Sequence, residues 1–230
     1  MICMVEEYEK DLHTKVNRFK AWTKENFPAF SEKNDNGEWC FCDEFYEMCD
    51  CSMAIIRNLA AGEATGQMID DLLFVAARDN EGENFVDELE EHSEWFALLC
   101  RRCLQTGYIA AKWQFAKHLP NCKDHDGFKD FKEIIYDFFK TDDEYTDRMA
   151  LQALAEIYPE QAERYAVDFW ERKKYEYDEY QKIMVLHVLF QIHSPKLPHY
   201  LALAEKSEYR YLRENAEDLY DRLSREPHNG

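Results

Sequence analysis

The sequence predicts an all-α chain, an α-solenoid of stacked antiparallel helical hairpins with roughly ten to twelve helices. The main reason is an apolar stripe that recurs four times: Phe115, Ala116 and Leu119; Ala150, Ala153, Leu154 and Ile157; Val185, Val188, Leu189 and Ile192; Ala216, Leu219, Tyr220 and Leu223. Spacings of three, four and seven put each set on one helix face. The closing residues stand 38, 35 and 31 positions apart, close to one helical hairpin each, and Pro120, Pro159 and Pro195 follow the first three. Composition agrees, since the 230 residues contain only 7 Gly and 6 Pro, and alternating β-branched runs are absent.

The elements can be placed in order. Val5, Tyr8, Leu12, Val16, Phe19 and Trp22 predict an amphipathic capping helix over about 5–26, ending before Phe27-Pro28. The polar run 31–37 is the strongest loop signal in the chain. Phe45, Met48, Ile55, Ile56 and Leu59 mark a helix over 44–60, and Gly62 and Gly66 bracket the turn before Met68, Leu72, Leu73, Val75 and Ala76. Residues 79–82 form the next break. The Phe85/Val86/Leu89 and Trp95/Phe96/Leu99 helices separate near His92-Ser93, where Ser93 is expected to cap. From Tyr108 the alternation is regular: an outer helix with Phe128, Phe131, Ile134, Ile135 and Phe138, then helices around Ala150, Tyr165–Trp170, Val185, Leu197–Ala204 and Leu212. One domain over 1–230 is expected, with divergent helices in 1–107 and regular repeats in 108–230.

Charge narrows the partners. With 28 basic against 47 acidic residues the net charge is −19, which repels a phosphate backbone. The basic runs Arg172-Lys173-Lys174 and Arg101-Arg102 are too short to outweigh it, so no nucleic acid is expected and a basic protein is. The start lacks the order of a secretory signal and no apolar run reaches about 18 residues, so neither export nor a membrane is expected and the location is read as cytoplasmic. Eight cysteines in such a chain read as reduced thiols. Cys40, Cys42, Cys49 and Cys51 form a compact quartet, but residues two apart on a helix point about 200° apart, so Cys49 and Cys51 do not grip one ion. Cys100 and Cys103, flanked by Leu98, Leu99 and Leu104, read as core. His187 and His193, six apart, do not share a face, and no metal or other cofactor is expected.

The run from Arg148 to Ile157, with its Ala-x-x-Ala-Leu core, resembles the second helix of a HEAT-like repeat, and Leu212-Arg213 resembles the Val-Arg pair of that motif. Lys182, where Arg is usual, and Ala155, where Gly is frequent, depart from it. The resemblance covers roughly 108–225 and implies that the second helices line a concave surface. One and five positions before each closing residue stand His118 and Gln114, Glu156 and Gln152, Gln191 and His187, and Arg222 and Asp218, a polar ladder that this resemblance makes a contact strip. Asp142, Asp143 and Glu144, with Tyr175, Tyr177, Asp178 and Tyr180, form a second candidate, an acidic and aromatic edge in which tyrosines among carboxylates suit a basic protein surface. No catalytic residue is assigned. A small acidic solenoid also resembles bacterial immunity proteins, which implies a non-catalytic interaction protein that neutralises a basic toxin such as a nuclease. The alternative is a HEAT-like alkylpurine DNA glycosylase, which needs a basic groove that this sequence lacks.

Overall fold

The computed structural model describes residues 2–29, 39, 42–124 and 127–225, and among these every regular element is helical. In order they are α1 (Ile2–Asn26), α2 (Asp43–Asn58), α3 (Gly66–Arg78), α4 (Asn84–Glu90), α5 (Ser93–Cys103), α6 (Ile109–His118), α7 (Phe128–Phe131), α8 (Ile135–Phe138), α9 (Glu144–Ile157), α10 (Pro159–Glu171), α11 (Glu179–Gln191), α12 (Leu197–Ala204) and α13 (Arg210–Arg225). Short 3-10 turns lie at Ala61–Glu63, Leu119–Asp124 and Lys132–Ile134. Counting the broken segment α7–α8 once, the described chain has twelve helices. No described helix is long and apolar enough to cross a membrane. The expected loop over 31–37 and Cys40 lie outside the described residues.

Two compact units divide the chain, Met1–Thr146 and Asp147–Gly230, with the boundary inside α9. In the first, α1 lies on α2 and α3, and α3 also meets α4, α5 and α6. The last two turns of α3 are enclosed on every side: each residue from Asp71 to Arg78 is buried, the charged Asp71 and Arg78 included. A helix of that kind needs neighbours on every side. This packing is more entangled than a stack of hairpins in which each helix meets only the adjacent repeat.

In the second unit α11 packs on α10, α12 and α13. Glu179 at the start of α11 bonds Tyr211 and Leu212 at the start of α13, and His187 farther along α11 meets Asn215 farther along α13. The two helices therefore run parallel. The repeated stripe is core as expected: Ala150, Leu154, Val185, Leu189, Ala216 and Leu219 are each fully buried. Three of its closing residues, Ile157, Ile192 and Leu223, are only half-buried. They sit at or beside helix ends, where the neighbour no longer covers them.

Local departures have local causes. The outer helix expected at 128–138 is broken by a 3-10 turn, yet Phe128, Phe131, Ile134, Ile135 and Phe138 are all buried. Apolar residues three apart stay on one face when the chain winds at three residues per turn. Ser93 is not a cap but the first residue of α5, with His92 in the capping position. Pro159 opens α10 at its first turn, where a missing N–H costs nothing. At the end of α11, His193 takes a left-handed φ of 51° and Ser194 N bonds Leu189 O, the Schellman closure normally made with Gly.

Leu154→Ala is expected to cost about 2–5 kcal/mol by denaturant unfolding, and Ile157→Ala clearly less. Equal losses would place Ile157 as deep as Leu154. A pH effect is expected at Asp79, whose Oδ2 accepts from Phe85 N at 2.8 Å and so seals the first turn of α4. Burial raises this carboxyl above its usual range, against the hydrogen bonds from Phe85 and Asn84 that lower it. A raised carboxyl stabilises while protonated and loses that contribution as pH climbs through its folded value. Asp79→Asn keeps the acceptor without the charge, so its stability relative to wild type should improve from about pH 4 towards neutrality. A difference that stays flat or runs the other way would refute this.

Candidate functional site

In the second unit, the loop between α10 and α11 is built around one buried carboxylate. Asp147, 1% exposed, receives Arg172 Nη2 at 2.7 Å, Lys174 Nζ at 3.2 Å and Tyr175 Oη at 2.7 Å, all on Oδ2. The Arg172 guanidinium also lies 3.4 Å from the centre of the Phe169 ring. Three donors from residues 172–175 converging on one oxygen fix the course of the loop. Its far end is held as firmly: Glu179, buried, accepts from Tyr211 N at 2.8 Å and Leu212 N at 3.2 Å, closing the first turn of α13.

This frame presents aromatic rings to solvent. Tyr177 is 63% exposed, Tyr180 49% and Tyr211 50%. The Tyr177 ring packs 5.8 Å from that of Tyr209, and Arg148 lies 5.4 Å from the centre of Tyr180. A hydrogen bond to Asp178 raises the Tyr209 phenol above its usual range, and Asp178 also pairs with Lys182 at 2.7 Å. Glu176 and Glu208 are exposed beside these rings in the sequence. The result is a stiff, tyrosine-bearing surface of mixed charge, where Glu176 and Glu208 are exposed together with Lys173, Lys174 and Arg210, and it has little side-chain freedom to lose on binding.

The other expected site residues divide clearly. Tyr175 is turned inward to Asp147. Asp143 caps α9, accepting from Thr146 N at 2.7 Å, and Asp142 is an exposed turn residue with a φ of 56°. Glu144 is half-buried. Of the polar ladder, Gln152, Glu156 and Gln191 are exposed, and His187 is half-buried against Asn215. Gln114 is a correction: it is fully buried, and its Nε2 donates to Ala76 O at 2.7 Å and Ala110 O at 3.0 Å. Ala76 O is one of the last four carbonyls of α3 and has no helical partner, so Gln114 is a core residue and not part of a contact strip.

His118 is likewise buried, at 6% exposure. Its Nε2 lies 2.7 Å from Glu83 Oε2 and its Nδ1 2.5 Å from Glu90 Oε1. Lys117 Nζ reaches Glu83 Oε1 at 2.6 Å, and Asn121 Nδ2 donates to Glu90 Oε1 at 2.5 Å. Asp87, Glu90 and His118 each offer a ligand atom within 4.8 Å of the others, a set that could hold a metal ion. The sequence reading missed it. Spacings of four and three put Glu83, Asp87 and Glu90 on one side of α4, but nothing in the sequence pairs that side with the end of α6.

Among the described thiols, Cys49 is half-buried and Cys42, Cys51, Cys100, Cys103 and Cys122 are buried. Cys49 and Cys51 lie on α2, inside the helix expected there, and the Cys42 and Cys51 sulfurs face Glu44 and Asp11 respectively, each at 3.4 Å. Burial pushes Cys42 up to about 11 and Cys51 and Cys122 up to about 12, and it raises Cys49, Cys100 and Cys103 well above the usual thiol range. Such thiols are poor nucleophiles at neutral pH.

No protein-family model, curated protein or solved structure matches this chain.

Asp147→Ala would remove the one oxygen that Arg172, Lys174 and Tyr175 all reach. It is expected to cost about 1–3 kcal/mol and to speed amide hydrogen exchange across 172–178. Unaltered exchange in that loop would show that it does not depend on Asp147.

Proposed function

We propose that this chain is a non-catalytic protein-binding module whose tyrosine and carboxylate surface on the second unit engages a basic protein. The observation that carries the reading is the exposure of Tyr177 on the loop, Tyr180 in the first turn of α11 and Tyr211 in the first turn of α13, around a frame held by the buried carboxylates of Asp147 and Glu179. Tyrosine joins an apolar body to a polar tip, and held in place it anchors an interface at low entropic cost. The net charge of −19 favours a basic partner through steering and complementarity. The parallel stacking of α11 and α13 supports a HEAT-like repeat architecture in this part of the chain. Within this reading the specific form is an immunity-type protein that covers the substrate-binding face of a basic toxin, its carboxylates standing where phosphates would lie.

The test begins with affinity capture and identification of bound proteins, followed by kinetics on the purified pair. Glu176→Lys with Glu208→Lys is expected to slow association and flatten its salt dependence, whereas Tyr177→Ala should speed dissociation. Truncating a buried aromatic anchor typically costs about 2 kcal/mol or more, a thirtyfold shorter lifetime in round terms. A partner bound with unchanged kinetics in both variants would move the interface elsewhere. An acidic partner would sink the charge argument.

A further inference from the structure

We infer that Asp87, Glu90 and His118 form a binding site for a single divalent cation of the zinc class, joining α4 to the end of α6. The three ligand atoms already converge within 4.8 Å. Atoms bound at 2.0–2.2 Å to one tetrahedral ion stand roughly 3.3–3.6 Å apart, so the His118–Glu90 gap of 2.5 Å has to open by about 1 Å. The ion then takes the place of the proton between these two groups.

The surroundings of the histidine favour this over a plain ion network. A ligating imidazole ordinarily donates its second N–H to a carboxylate, which sets the tautomer and the ring orientation. Glu83 occupies that position, 2.7 Å from His118 Nε2, leaving Nδ1 to face Glu90 at 2.5 Å. Glu83 is steadied in turn by Lys117, and Glu90 by Asn121. Each inner ligand except Asp87 therefore has an orienting partner. Asp87 is exposed, which gives an ion a route in and leaves room for water to complete the coordination.

Charge and donor type select the ion. Three carboxylates face one histidine and one lysine, so a dication offsets an excess of negative charge. An imidazole with two carboxylates suits zinc, cobalt or nickel better than calcium, which takes six to eight oxygens. The site lies in the first unit and is independent of the tyrosine surface.

The experiment uses the full chain, stripped with a chelator and titrated with Zn²⁺ alone by calorimetry and with Co²⁺ by absorption spectroscopy. One equivalent of Zn²⁺ is expected, with a cobalt spectrum free of the thiolate charge-transfer band that cysteine ligation would produce. Asp87→Asn changes an exposed side chain and should fold normally while weakening Zn²⁺ binding at least about tenfold. Glu83→Gln, which alters a positioning residue, should weaken it about 10- to 100-fold with the stoichiometry still one. No uptake by the wild-type chain would overturn the site. So would a thiolate band, or an affinity unchanged by Asp87→Asn.

Discussion

The fold depends on sealing helix ends that are buried. An α-helix leaves four N–H and four C=O groups without intrahelical partners at its two ends, and away from water each needs another donor or acceptor. Here they are supplied from other elements. Trp95 Nε1 donates to Leu59 O beyond α2, Gln114 Nε2 to Ala76 O of α3, and Gln181 Nε2 to Phe169 O of α10. At the opposite ends, Thr65 accepts from Met68 N, Asp79 from Phe85 N, Asp143 from Thr146 N and Glu179 from Tyr211 N. The Thr65 and Asp143 bonds are local caps, but the bonds of Trp95, Gln114, Gln181 and Glu179 also fix where one segment sits against another, so these polar groups both satisfy the backbone and set the packing. Apolar contact alone is non-directional and would allow helices to slide.

This division of labour decides which carboxylates are available for recognition. Asp79, Asp143 and Glu179 each commit an oxygen to a backbone N–H, and Asp147 commits Oδ2 to the half-buried Arg172 and the exposed Lys174. The recognition surface proposed for the second unit consists of what Asp147 and Glu179 hold in place. Tyr175 and Tyr177, two positions apart, illustrate the split: the first bonds Asp147 and stiffens the loop, and the second projects from the stiffened loop into solvent. An interface built on such a frame loses less conformational freedom on binding than one built on a free loop.

The helical class was legible because periodicity reports burial directly. Ala150, Leu154, Val185 and Leu189 all reach the core along the expected stripe, and the 5–26, 44–60 and 197–204 helices were placed to within a few residues. What periodicity does not report is which polar residue on an apolar helix turns inward. Gln114 and His118 lie on a nominally polar face, yet α6 has neighbours on that side as well, in α3 and α4. Its mixed sequence of Trp113, Gln114, Phe115 and Ala116, buried without a break, was the available sign that α6 has no free face. The left-handed His193 was invisible for a different reason: a Schellman closure is announced by glycine, and here a histidine makes it.

The charge of −19 acts at a different range from these bonds. Local pairs such as Arg172 with Asp147 or Lys117 with Glu83 neutralise their own neighbourhoods. They do not remove the excess of carboxylates, whose mutual repulsion opposes the compact state. A cation bound from outside relieves it wherever carboxylates are held close together by the fold. The Glu83, Asp87 and Glu90 face of α4 is dense enough and has a nitrogen ligand at hand, so a small dication suits it. The loops before α11 and α13 set exposed carboxylates such as Glu176 and Glu208 among basic residues and tyrosines over a wider area, which suits the extended surface of a protein. The two proposals thus answer one electrostatic demand at two length scales, and the spacing of the fixed carboxylates determines which kind of cation each place takes.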